Sequence, residues 1–181
     1  SLALLVPLFG ADLNASVLKR MTHDAYAELE PSWAPDGHTI AFVTDRFSTD
    51  LPRLRTGNYR LAALDPATGA VRPLPSFNDG KNINPQWAPD SKKIAFIDQA
   101  MQIRIYDGNT NKTTQIDQSP EWLEHPTLEA FRMEWSPDSR WLAYSRPTKE
   151  GNRAIFLYDT KAAKLHQATS GYLNDTQPTF D

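Results

Sequence analysis

Pro31-Ser-Trp-Ala-Pro-Asp-Gly-His-Thr-Ile-Ala-Phe42 is a stretch that the chain repeats. Pro85-Gln-Trp-Ala-Pro-Asp-Ser-Lys-Lys-Ile-Ala-Phe96 is a second copy and Met133-Glu-Trp-Ser-Pro-Asp-Ser-Arg-Trp-Leu-Ala-Tyr144 a third. Pro178-Thr-Phe-Asp181 opens a fourth. The aromatic anchors Trp33, Trp87, Trp135 and Phe180 stand 54, 48 and 45 residues apart. Self-similarity at such a period signals a stacked or radial array of small units.

Each unit reads as four strands. The residues before the anchor alternate as a strand does, and Ala/Ser-Pro-Asp-Gly/Ser follows as a turn. Proline fixes φ there, and the side chains of Asp36, Asp90 and Asp138 can accept the backbone N–H two residues on. Gly37 takes φ > 0 freely, and Ser91 and Ser139 take it less readily. A short apolar run then closes a hairpin: Thr39–Thr44, Lys93–Asp98 or Trp141–Ser145. A second pair follows, such as Arg153-Ala-Ile-Phe-Leu-Tyr-Asp159 and Lys164-Leu-His-Gln-Ala168. The expectation is an all-β chain with units at about 30–75, 84–116 and 131–168, each an antiparallel meander a, b, c, d. Four-stranded propeller blades have about this length.

The pattern Pro-x-Trp-Ser/Ala-Pro-Asp-Gly/Ser-x-x-Ile-Ala-Phe, with a later strand ending in Asp, resembles the WD-like propeller repeats of TolB and of the tricorn protease N-terminal propeller. Similar repeats precede the catalytic domain of prolyl-oligopeptidase-like enzymes. The third unit resembles tricorn most and the first a TolB-type repeat, as the units of a recombined or engineered chain would. The resemblance covers about residues 17–181 and implies a β-propeller or part of one. For TolB it also implies a periplasmic or otherwise extracytoplasmic setting. A fold hosts many functions, so it does not fix one.

The 181 residues carry a net charge of −3 and no cysteine. That length suits one domain. The charge gives no field that would favour nucleic acid or a membrane surface. The missing cysteines exclude disulfides and thiolate metal sites.

Ser1–Phe9 is apolar. It reads either as the remnant of a secretory hydrophobic region or as strand c of a further blade, with Val17–Thr22 as its strand d. It is about half the length of a membrane-spanning helix. The connections from strand d to the next strand a are polar loops. The longest runs from Asp117 to Ala130 and holds Trp122, either an exposed anchor for a partner or a plug over the channel mouth. The first unit has a long b-to-c connection, 45–57, whose Arg46, Arg53 and Arg55 could receive an acidic group. The alternative is a solvated excursion.

Catalytic motifs are missing from the sequence. There is no Gly-x-Ser-x-Gly elbow, no phosphate-cradling Gly-rich loop and no His-Glu-x-x-His, and nothing calls for a cofactor. His23, His38, His125 and His166 occupy unrelated repeat positions. Simple alternation puts positions three and five before each anchor on one side of the inner strand. Glu30, Asn84, Arg132 and Gln177 stand at three before, and Glu28, Asn82, Ala130 and Asp175 at five before. If these line a channel, its wall is polar and of mixed sign. Glu28, Glu30 and Asp175 are then candidate oxygen ligands for a cation such as calcium, against a water-filled tunnel with Glu30 near Arg132.

The sequence thus points to a non-catalytic scaffold for peptide or protein binding or for self-assembly. The alternative is the substrate-gating propeller of a tricorn-like or prolyl-oligopeptidase-like peptidase whose catalytic domain lies elsewhere. Residues 2–22 and 176–181 are expected to supply strands of a further, shared blade. Lone strands of that kind expose unpaired backbone, so the expected partner is a second copy of the chain, most simply as a dimer.

Overall fold

The structure, a computed structural model, describes residues 3–4, 19–76, 80–120 and 132–181. Its described residues hold fourteen strands and no helix. β3 (Glu28–Trp33), β4 (Ile40–Thr44), β5 (Arg60–Leu64) and β6 (Val71–Pro73) form one antiparallel meander. β7 (Asn82–Trp87), β8 (Lys93–Asp98), β9 (Gln102–Asp107) and β10 (Lys112–Gln118) form a second. β11 (Met133–Trp135), β12 (Trp141–Pro147), β13 (Arg153–Asp159) and β14 (Lys164–Gln167) form a third. β1 (Ala3–Leu4) pairs antiparallel with β2 (Lys19–Arg20) in a sheet of two, the pairing expected of strands c and d.

The repeat motif makes the hairpin as its residues dictate. Asp36 accepts the His38 N–H at 2.9 Å, Asp90 that of Lys92 at 2.9 Å, and Asp138 that of Arg140 at 3.1 Å. Strands c end in the same device, with Asp65, Asp107 and Asp159 accepting from Ala67, Asn109 and Lys161. The side chain closes the turn, so the carboxylate repeats for a local reason. Ser91 and Ser139 take the left-handed conformation, at φ 58° and 59°, that Gly37 takes at 76°.

The core lies between sheets. Strands b are the most buried; every residue of Ile40–Thr44 is buried, as are residues 94–98 of β8. Val43, Leu61 and Leu74 of the first sheet pack against Ile94, Phe96 and Tyr106 of the second. Ala95, Ile97, Ile103 and Ile105 of the second pack against Leu142, Tyr144, Phe156 and Tyr158 of the third. Met21 packs on the other side of the first sheet, with Ile40, Phe42 and Leu64.

The anchors also bind across the junctions. The Trp87 indole N–H donates to the Ser32 carbonyl, and that of Trp135 to the Gln86 carbonyl, both at 3.1 Å. The turn serines reach the same way: the Asp36 N–H donates to Ser91 Oγ at 3.0 Å and the Asp90 N–H to Ser139 Oγ at 2.8 Å. Each such bond contributes about 1 kcal/mol.

Residues 176–181 form no strand. Among the described residues, the expected strand a at Gln177–Phe180 therefore has no ladder, and the sheet of β1 and β2 takes no third strand. Pro178 lacks an N–H and could offer a ladder only its carbonyl. Phe180 is half-buried without one.

Candidate functional site

Simple alternation fails in the inner strands, and the failure builds the site. The ladder slips between Leu29 and Ser32 in the first sheet and between Ile83 and Gln86 in the second. Such bulges set two residues against one and re-aim a side chain. Glu30 and Asn84 sit in them with φ of 53°, and Gln177 has φ 57°. For non-glycine residues this is a strained conformation.

Glu30 and Asn84 of the bulges line one cavity of about 410 Å³ together with Pro31, Pro85, Gln86, Arg132 and Gln177. Glu30 accepts the Asn84 N–H across the first junction, and Asn84 Oδ1 accepts from the Gln86 side-chain amide at 2.9 Å. Arg132 is exposed, and no ion pair joins it to Glu30 among the described residues. The wall offers one carboxylate, one guanidinium and three amides, a surface that can hydrogen-bond a polar chain without strong charge preference.

Position five before the anchor goes elsewhere, which corrects the expectation that it shares a side with position three. Glu28 is buried and pairs with Arg46, while also accepting from the Thr22 hydroxyl. Asn82 is fully buried and donates its side-chain amide to the Tyr59 carbonyl at 2.8 Å. Asp175 offers its backbone: its carbonyl accepts from Ser145 Oγ at 2.8 Å and its N–H donates to the Arg153 carbonyl at 3.1 Å. Glu28, Glu30 and Asp175 are thus not brought together. No group of three or more His, Cys, Asp or Glu side chains converges to hold a metal among the described residues.

The 45–57 connection is tied to the first sheet at its base, while residues 51–56 are exposed. Asp45 accepts the Ala27 N–H at 2.9 Å and the Thr49 hydroxyl at 2.6 Å. Arg46 bridges Asp24 at 2.7 Å and Glu28 and lies over the Tyr26 ring. Its charge is therefore engaged within the chain, and Arg53 is paired with Asp50 at 2.9 Å. Arg55 alone of the three stays exposed without an ion pair among the described residues.

Trp122 and His125 lie outside the described residues, so neither the anchor nor the plug has a place in the structure. His23, His38 and His166 are exposed, and His166 lies against the Trp141 ring. Asp117, at the start of the long connection, joins two sheets. It accepts from Tyr144 Oη at 2.9 Å and pairs with Arg146 at 2.5 Å. Burial, and then the Asp117 charge, push the Tyr144 phenol far above its usual range. These links were not legible in the sequence, because nothing local to Asp117 marks partners 27 and 29 residues away.

No protein-family model matches the chain. It is 31% identical over 94 residues to a protein of Sulfurisphaera tokodaii described as a tricorn-like protease C-terminal subunit, covering 52% of this chain and 10% of that one. It is 26% identical over 144 residues to dipeptidyl-peptidase 5 of Porphyromonas gingivalis, covering 77% of this chain and 20% of that one. The chain therefore spans a tenth to a fifth of the length of these relatives. Among solved structures, the tricorn protease superposes with a TM-score of 0.62 at 24% identity over 80% of this chain and 13% of its own. TolB from Acinetobacter baumannii gives 0.61 at 18% over 91% and 38%. Three meanders with inter-sheet cores and inner strands around one cavity define the class: the chain is a partial β-propeller. Its units resemble those of TolB and the tricorn propeller, and its curated relatives match through their propeller portions.

Proposed function

We propose that the chain is a non-catalytic propeller scaffold that receives an extended peptide or protein segment at the mouth of its central cavity. The observation that supports this reading is the bulge in the inner strands. It turns Glu30 and Asn84 toward the same cavity that Arg132 and the left-handed Gln177 line, at a conformational cost of about 1–3 kcal/mol per residue. A wall of amides and one charge of each sign suits backbone hydrogen bonding and one charged side chain. The test is a peptide array followed by fluorescence anisotropy on the best binder. Arg132→Ala and Gln177→Ala should each weaken binding at least several-fold with the melting temperature unchanged. Binding that ignores both substitutions overturns the reading.

A second reading rests on the relatives, which are peptidases. In it the same cavity gates substrate for a catalytic domain elsewhere. Both readings predict that the purified chain hydrolyses neither peptides nor esters. Activity that survives purification and is abolished by one point mutation would overturn both. Fusion to a catalytic domain from a matched relative separates them: the gating reading requires Arg132→Ala to change kcat/KM for long peptides and not for dipeptides.

A further inference from the structure

Residues 175–181 sit on the third sheet as an inner strand does. In the second unit Asn82, five before its anchor, donates its N–H to the Tyr59 carbonyl at 2.8 Å. Asp175, five before Phe180, donates in the same way to the Arg153 carbonyl at 3.1 Å, and its own carbonyl accepts from Ser145 Oγ. Tyr59 and Arg153 are equivalent, each six residues before the Asp that ends strand c. Three before the anchor, Gln177 takes φ 57° where Glu30 and Asn84 take 53°. Yet no strand b pairs with this segment among the described residues.

The third sheet offers the rest of such a junction. Leu142, Tyr144, Phe156 and Tyr158 pack toward the second sheet, so the alternate residues Ala143, Ser145, Ile155 and Leu157 face away from it. Ala143 pairs with Leu157 and Ser145 with Ile155. At the equivalent places Leu61 and Ala63 of the first sheet are 0% and 3% exposed, and Ile103 and Ile105 of the second 0% and 7%. Ile155 and Leu157 are only half-buried. In both filled junctions strand b of the next unit supplies the cover. Ile94 and Phe96 turn back onto the first sheet, and Leu142 and Tyr144 onto the second. An alanine stands between the two large residues each time.

We infer that residues 176–180 and the outward face of the third sheet accept an extended strand from another polypeptide. The strand adds antiparallel to 176–180 as strand b does. It buries an aliphatic residue and, two residues on, an aromatic one against Ile155 and Leu157. The ligand class is a segment reading aliphatic, small, aromatic. Main-chain hydrogen bonds give an added strand its affinity, and the pockets for alternate side chains its specificity. The site uses the backbone of 176–180 and not the side chains around the central cavity, so it stands apart from the peptide reading there.

The probe is a fluorescein-labelled peptide copying residues 91–98, Ser-Lys-Lys-Ile-Ala-Phe-Ile-Asp, titrated with the full chain and followed by anisotropy. Saturable one-to-one binding is expected. The Ala88 N–H donates to the Lys93 carbonyl, and hydrogen-bonded pairs alternate along an antiparallel ladder. The N–H at the position copied from Ala95 therefore faces strand a, and that copied from Phe96 faces away. N-methylation at the first should weaken binding about tenfold, and at the second leave it unchanged. Serine in place of both the copied Ile94 and the copied Phe96 should abolish it. In the chain, Leu157→Gln should weaken binding about tenfold, and Leu54→Gln, at a residue 92% exposed on the 45–57 connection, should not. The peptide variants decide the matter even where Leu157→Gln fails to fold. A second copy of the chain would take the same edge, so saturating peptide should leave one chain with one peptide by light scattering. Binding that tolerates methylation at both positions is apolar adhesion and overturns the inference. So does an absence of saturable binding, including a dimer that persists without taking up peptide.

Discussion

Ser139 Oγ accepts the Asp90 N–H at 2.8 Å across the junction of the second and third sheets. Ser91 accepts that of Asp36 one junction earlier. At the same repeat position the first unit has Gly37, which has no hydroxyl to offer. Serine therefore holds a left-handed turn position at a conformational cost because its side chain clasps the neighbouring sheet.

This separates two substitutions. Ser139→Ala keeps the unfavourable φ of 59° and loses the bond, so it should destabilise by about 1 kcal/mol. Ser139→Gly loses the bond and relieves the backbone, so its change should stay within about 0.5 kcal/mol. Urea unfolding of the two variants decides it. Equal losses would mean that the left-handed backbone costs nothing there; an undiminished stability of Ser139→Ala would mean that the hydroxyl contributes nothing.

The anchors give a second prediction. Trp135 is 6% exposed and packs between the second and third sheets. Trp135→Ala should cost about 3–5 kcal/mol, as loss of a large buried aromatic does. Trp135→Phe keeps most of the apolar contact and loses the indole bond to Gln86, so about 1–2 kcal/mol is expected. Trp87 is only half-buried and should cost less than Trp135 when truncated to alanine. The reverse order would place the core elsewhere.

Much of this fold is legible because its causes are local. Proline, aspartate and the alternating apolar runs dictate the hairpins within a dozen residues of each anchor, and they recur three times in register. The turn role of Asp36, Asp90 and Asp138 follows from chemistry inside four residues. The inner strands are less legible, since Glu30 and Asn84 bulge where a plain strand was expected. No residue type announces a left-handed glutamate, and the bulge reverses which side Glu28 and Asn82 take.

Acid stability tests the third sheet. Arg140 donates to both oxygens of Asp159 at 3.1 and 2.6 Å, and the Ala162 and Lys161 amides add to it. The Arg140 contact, the largest cause, and these amides hold the Asp159 carboxyl far below its usual range against the opposing effect of burial. A carboxylate depressed in the folded state stabilises fully above its unfolded pKa of about 4. That contribution is lost as pH falls below 4 toward the folded value. Melting temperatures taken from pH 7 to pH 2 should therefore fall more steeply for the natural chain than for Asp159→Asn. Parallel curves would remove the pair from the acid response.

The 45–57 connection holds a position that admits only glycine. A Cβ on Gly57 would stand 2.2 Å from Ser48 Oγ, 2.5 Å from the Ser48 carbonyl carbon and 2.6 Å from the Thr49 nitrogen. Two of these are backbone atoms, so the loop must shift. Gly57→Ala should destabilise by about 1–3 kcal/mol, as overpacking does. It should also raise amide exchange in residues 45–57 above that of strand β4. Unchanged exchange would mean that the loop is looser than its hydrogen bonds imply.

The lateral faces carry the last prediction. Trp87 donates to Ser32 and Trp135 to Gln86, so the equivalent acceptor on the far side of the third sheet is the Glu134 carbonyl. No indole reaches it among the described residues. Among the described residues, Gln177–Phe180 finds no ladder and β2 pairs on one side only. Closed propellers hold four to eight blades. We expect two copies to meet head-to-tail, with Val17–Thr22 of one against Gln177–Phe180 of the other, in a closed ring, because open propagation would give fibres. Light scattering at micromolar concentration should then give twice the chain mass of 20.4 kDa. Deleting residues 1–22 removes the acceptor strand and also Met21 from the core of the first sheet, so a monomer or an aggregate should result. A 20.4 kDa species from the full chain would overturn the prediction, and an unchanged dimer after the deletion would place the interface elsewhere.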